Sequence, residues 1–207
     1  MNAKTLRASL LAVTTAIALC AAIVPLAAHA YDENSTAAIN VDAKGVGLKG
    51  HDPVAYFTAG APTAGKAEFN AAHAGVTFLF ASAANRDAFK ADPAKYAPQY
   101  GGFCAMGVAL ERKLDGDPNA WRVVDGKLYL FGSPRSRRGW MLDYRENTVA
   151  GDRYWATEMK DVPYRLQNAK RYTFKVDGYR TDAELDAIYA QRKAAGTLNP
   201  LVLQYGD

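Results

Sequence analysis

Between residues 50 and 106 the chain is punctuated so densely that few folds can accommodate it. Val76-Thr77-Phe78-Leu79-Phe80 is β-branched and aromatic with little polarity, which predicts a buried strand. Ser82 follows as a helix N-cap, placed to accept from the amide of Asn85. The helix it opens is expected to reach about Ala91, with Ala84, Ala88 and Phe89 toward the sheet. Asp92-Pro93 opens a second helix, a capping carboxylate followed by proline at the first helical position. Pro98 ends that helix near Tyr96. Gly101-Gly102 then admits backbone angles closed to other residues, directly before Phe103-Cys104. Strand, capped helix, short helix and glycine turn in this order predict an α+β fold, a small antiparallel sheet with short helices.

The flanks add attachments to this run. Residues 48–57 hold the Asp52-Pro53 turn, and Val54 and Tyr56 suit a short strand or bend entering the core. Residues 58–67 form a loop punctuated by Gly60, Pro62 and Gly65. Gly60, Gly65 and Lys66 have the spacing of a phosphate-binding loop, but Ala67 stands where a magnesium-holding hydroxyl belongs and Pro62 interrupts the amides. Nucleotide binding is therefore set aside. Asp125-Gly126 between 121–124 and 127–131 predicts a hairpin with a type I′ turn, Trp121 and Tyr129 serving as core. Residues 133–138, with Arg135, Arg137 and Arg138, read as a solvated loop, contact with anionic lipid or polysaccharide being the alternative. Residues 151–171 read as helix interrupted at Pro163, and 172–180 as a short strand. Thr181-Asp182-Ala183-Glu184 is a capping box for a helix over 181–195, stopped by Gly196.

The first 30 residues read as an export signal. Lys4 and Arg7 precede an apolar 10–26 stretch, and Ala28-His29-Ala30 is a small-residue cleavage site. Cleavage after Ala30 would start the chain at Tyr31 and place it in the bacterial periplasm, with no transmembrane span. The 25 Lys+Arg would fall to 23 against 21 Asp+Glu, so the mature chain is near neutral and lacks the basic field that nucleic acid requires. Of two cysteines only Cys104 would remain, with His51 and His73 as the histidines. A single cysteine in an oxidising compartment has no internal disulfide partner. The expected organisation is signal 1–30, flexible tether 31–45, core domain 46–132 ending in the hairpin, insert and helical segment 133–171, and C-terminal extension 172–207.

With these residues laid out, the chain resembles the exported YHS domain-containing family, the kind labelled "(seleno)protein". The resemblance rests on Gly50-His51-Asp52-Pro53-Val54-Ala55-Tyr56-Phe57, on 80–89 from Phe80 to Phe89, and on Tyr96 through Tyr100-Gly101-Gly102-Phe103-Cys104-Ala105. The hairpin from Asp117 to Leu130, Trp155 and Asp161-Val162-Pro163 extend it to about residues 45–171, leaving the insert near 133–150 and the tail 172–207 outside the pattern. It implies a YHS/TRASH-like core with a helical C-terminal extension. Related modules in copper-handling proteins bind metal through thiolates. Aligned by their flanks, those positions here are Ala55, Ala81 and Asn85.

Three chemistries compete for what remains. Cys104 and Met106 with His51 or His73 would suit Cu(I) or another soft metal ion, which accepts two or three thiolate, thioether and imidazole ligands. Structural zinc is disfavoured, since it takes about four such ligands. Met106 lies two residues from Cys104, which puts both on one face of a strand, whereas a bend need not do so. A thiol-redox site at Cys104 needs a cation or helix N-terminus to lower its pKa, and no resolving cysteine is present. In the third reading the domain binds a small ligand or partner without catalysis, Cys104 is packed, and Tyr56, Tyr96, Tyr100 and Phe103 form core or an apolar pocket. His-Glu-x-x-His, Gly-x-Ser-x-Gly, Gly-x-Gly-x-x-Gly and haem-attachment motifs are absent, so no catalytic residue is assigned. The sequence points to no particular protein partner.

Overall fold

The computed structural model describes residues 38–204. The signal segment and the first part of the expected tether lie outside them. The fold is α+β, with two separate two-stranded antiparallel sheets among many short helices. Strand β1 (Lys66–His73) pairs with β2 (Val76–Phe80) around Ala74 and Gly75, whose φ angles of 49° and 79° suit a two-residue turn. Sequence periodicity did not single out β1. It is mostly exposed and its register slips between Lys66 and Asn70. The segment entering the core before it, expected as strand or bend, is instead a helical turn α1 (Ala55–Thr58).

The capped helices form as their caps dictate. Ser82 Oγ accepts from Asn85 N at 3.1 Å and α2 runs Ala83–Ala91. Phe89 is buried and Ala88 half-buried, but Ala84 faces solvent, so the packed face is narrower than the pattern implied. Asp92 Oδ1 accepts from Lys95 N at 3.1 Å, opening α3 (Pro93–Tyr96). Tyr100, Gly101 and Gly102 then turn with φ of 53°, 61° and 84°. A Cβ on Gly101 would lie 1.7 Å from the Ala38 carbonyl oxygen, so only glycine fits that crossing.

That crossing corrects the expected tether. Residues 38–45 are docked, not loose: Asn40 N donates to Gly101 O at 2.8 Å, Asn40 Nδ2 to Asp115 Oδ1 at 2.8 Å, and Ile39 and Val41 are buried. After the turn comes α4 (Ala105–Ala109), then the second hairpin, β3 (Asp117–Val124) with β4 (Lys127–Phe131). Asp125 and Gly126 have φ of 50° and 72°, as the Asp-Gly turn requires.

Alternation along this hairpin organises the interior, because successive strand side chains point to opposite faces. Leu128 and Leu130 join a cluster with Ile39, Val41, Leu48, Tyr56, Phe78, Phe80 and Phe89, which Trp121 and Val123 flank. Tyr129 and Phe131, with Ala120 and Val124, join a second cluster containing Phe103, Cys104, Val108, Trp140 and Met159. The hairpin is thus a partition with a core on each side.

Helices surround the second cluster. The expected arginine loop is α5 (Pro134–Leu142), opened by Ser133 and Ser136 in a reciprocal cap with proline at its start. The α6 helix (Tyr144–Tyr154) passes into a π-helical turn (Trp155–Met159), and Pro163 separates it from α7 (Tyr164–Thr173). Residues 174–180 form bends and a turn, not the expected strand. Thr181 and Glu184 cap α8 (Asp182–Ala194), and Gly196, φ 67°, follows its end before α9 (Pro200–Gln204). Leu185, Leu198 and Val202 enter the second cluster, so this extension shares the core.

Candidate functional site

Cys104 sits at the N-cap of α4, where its sulfur takes the place of the usual oxygen: Gly107 N donates to Sγ at 3.4 Å. Ser136 Oγ on α5 lies 4.0 Å away, and the thiol is 2% exposed. Burial pushes the Cys104 thiol up, and the amides of Gly107, Gly132 and Met106 together with Ser136 only partly offset it. A buried neutral thiol is a poor nucleophile and a poor metal ligand, so the glycine pair does not present this cysteine but packs it.

Nor do the other candidate ligands converge on it. Cys104 and Met106 are two residues apart at the start of a helix, and such neighbours do not share a face. The Met106 side chain instead contributes to a cavity described below. His51 lies in the other core region, its Nδ1 3.2 Å from the Leu48 carbonyl oxygen. His73 packs edge-on against Phe89 with ring centroids 5.7 Å apart, and beside Phe78 at 6.5 Å. The β3–β4 partition therefore separates the histidines from the sulfurs. Among the described residues no three His, Cys, Asp or Glu side chains gather as a metal site.

The aromatic quartet is divided in the same way. Tyr56 donates to Pro118 O at 3.0 Å and meets Trp121 edge-on, while Tyr96 flanks the same cluster against Phe57. Tyr100 and Phe103 lie across the partition, each beside Trp155. The Tyr100 hydroxyl donates to Asp152 Oδ1 at 2.9 Å. All four are core or core-flanking residues, two on each side of the hairpin.

Asp52 is the hydrogen-bonding centre of the first motif. Its carboxylate is fully buried and accepts from Val54 N at 2.8 Å, Ala55 N at 3.3 Å, Ala81 N at 2.8 Å and Asn85 Nδ2 at 2.6 Å. Ala55, Ala81 and Asn85 are the positions that the resemblance aligns with thiolates. In this chain they meet around one carboxylate through hydrogen bonds, which tie α1, the end of β2 and α2 together. The Asp-Pro turn and the Asn three residues after the Ser82 cap were the signals for this knot.

Two further buried charges escaped the sequence. Lys113 has no exposed surface; its ammonium donates to Lys160 O at 2.9 Å and Val162 O at 2.8 Å and lies over the rings of Phe103 and Trp155 at 5.4 and 5.2 Å. Burial pushes it down to about 8, opposed by the Asp161 carboxylate. Glu111, also buried, with φ 57°, accepts from Gln167 at 3.1 Å, Lys170 at 2.6 Å and Arg171. Burial pushes its carboxyl up, but the bonds from Lys170, Gln167 and Arg171 outweigh this and hold it below the usual range. These two residues lock the π-helical turn and α7 to the core.

The largest change from expectation is a cavity of about 390 Å³ where α4, α5 and α6 meet the extension. Met106 and Ala109 of α4, Leu110 just after it, and Leu185 of α8 give it apolar lining, while Asp143, Glu146, Asp177, Arg180 and Arg192 supply charge. Comparison of the chain with family models, with curated proteins and with solved structures finds no match. Among the described residues no helix is long and apolar enough to cross a membrane.

Proposed function

We propose that this chain is an exported, YHS-like binding module without catalytic activity, and that its ligand seat is the cavity between α4 and the C-terminal extension. The cavity carries the reading. Its volume of about 390 Å³ falls within the range of small-molecule sites, roughly 300–1,000 Å³. It combines apolar lining with a few charged groups, the combination that orients a small ligand. The competing chemistries draw less support, since the thiol is buried with its pKa raised and the imidazoles lie beyond the β3–β4 partition.

The test is a fragment screen on the chain from Tyr31 onward, read by amide chemical shifts. Shifts converging on Met106, Ala109, Gly139 and Leu185, and abolished by Ala109→Leu, which grows a side chain into the cavity, are the expected result. Shifts scattered over the surface and indifferent to that substitution would remove the seat. Mass measurement of the protein recovered from a periplasmic fraction tests export, with a mature chain beginning at Tyr31 expected.

A further inference from the structure

The charges around this cavity differ in how available they are. Asp143 accepts from Arg180 at 2.9 Å and from Arg192 at 2.8 Å, and Arg192 also donates to the Leu142 carbonyl at 2.9 Å. Both guanidiniums are thereby held by one carboxylate, whose own pKa they depress against the effect of burial. Glu146 at the start of α6 and Asp177 in the segment leading to α8 also line the cavity, and both are exposed. Neither is ion-paired within the described residues. Counting Asp143, Glu146 and Asp177 against Arg180 and Arg192, the cavity carries one net negative charge, and its uncommitted groups are carboxylates.

We propose, building on the seat argued above, that the cavity takes a small organic cation: a primary ammonium or guanidinium on a short apolar body. The body would lie on Met106, Ala109, Leu110 and Leu185, and the head would donate to Glu146 and Asp177. A quaternary ammonium fits less well. Such heads are recognised by aromatic faces, and none of the described residues lining this cavity is aromatic. A primary ammonium brings hydrogen-bond donors that carboxylates accept with charge assistance. At about 30 Å³ per water-sized group, the volume holds roughly a dozen non-hydrogen atoms, which sets the size class.

The experiment titrates n-hexylamine, n-hexanol and hexanoate into the chain from Tyr31 onward. It follows the amide signals of Met106 and Leu185 in the parent, in Glu146→Gln with Asp177→Asn, and in Ala109→Leu. Hexylammonium should bind most tightly, weaken on adding salt, and lose roughly five- to tenfold in affinity in the doubly neutralised variant. Both carboxylates are exposed, so that variant should fold. Hexanoate binding more tightly than hexylammonium at the same signals would overturn the cation assignment and leave the seat standing. Hexanol matching hexylammonium, with no response to the double variant, would do the same. No probe moving these signals, or movement unaffected by Ala109→Leu, would overturn both the assignment and the seat.

Discussion

Asp52 holds four donors without exposed surface, and removing it damages several atoms at once. Asp52→Ala would leave the buried amide of Val54 and the half-buried amide of Ala81 without an acceptor, each costing up to about 1–3 kcal/mol. We expect a destabilisation of about 3–4 kcal/mol in urea unfolding, against a typical substitution near 1 kcal/mol. A loss below about 1 kcal/mol would mean that the knot is not structural. Cys104 carries a prediction of a different kind. Because its thiol is packed against α4 and α5, it should react with an alkylating agent only after denaturation. A Cu(I) competition titration on the chain and on Cys104→Ser should find no tight equivalent that the substitution removes; finding one would restore the soft-metal reading.

Lys113 sets a third residue-scale expectation, in alkaline solution. Its folded pKa of about 8 lies below the ordinary 10.5, so from about pH 8 upward the unfolded chain binds more protons than the folded one. Stability should therefore rise between pH 8 and about pH 10. Beyond that the tyrosines reverse the trend. Burial raises Tyr56, Tyr100 and Tyr129, and a raised folded pKa contributes stability that is lost once the unfolded phenol ionises near 10. Denaturant midpoints across this range, compared with Lys113→Met, provide the check: the substitution should flatten the rise. An unchanged slope would assign it to other groups.

At the scale of elements, the short helices depend on what caps and docks them, because helices this short are marginal on propensity alone. The Ser133–Ser136 cap starts α5, and the buried Trp140, Met141 and Leu142 follow from it. Three arginines make 133–138 look like a solvated loop, but Ser133-Pro134 is as good a helix start signal as Asp92-Pro93. Ser133→Ala should cost about 1 kcal/mol in thermal or denaturant unfolding. In α7, Glu111 receives Lys170 and Arg171 from the helix's last turns. Its depressed carboxyl contributes stability that is present above the ordinary value of 4.5 and lost as pH falls through the folded pKa. Glu111→Gln should therefore lower stability at pH 7 and reduce its acid dependence in urea unfolding; a parallel acid limb would count against this.

At the scale of the molecule, the β3–β4 hairpin decides which residues can meet. Much of its surroundings was legible: β2, the Ser82 and Asp92 caps, the Asp-Gly turn and the Thr181 capping box all form where local chemistry placed them. Each of these is a short-range bond or a steric allowance that neighbouring residues can write. The candidate site was legible only as a set of residue types. His51, His73, Cys104 and Met106 are the right kinds of ligand, yet two lie with one core and two with the other.

Local sequence by itself wrote β2, the capped helices α2, α3 and α8 and the Asp-Gly turn, because caps, glycine angles and strand alternation act over a few residues. Strand β1 and helix α1 carried no such reading and took their form from the packed whole. Tertiary structure alone decided three things: that residues 38–45 dock at the Gly101 turn, that Asp52 gathers Ala81 and Asn85, and that the extension closes a cavity over Met106. Each joins positions from about thirty to more than sixty residues apart. Such contacts form only when burying apolar surface outweighs the entropy of closing the chain between them, and local spacing does not encode that balance.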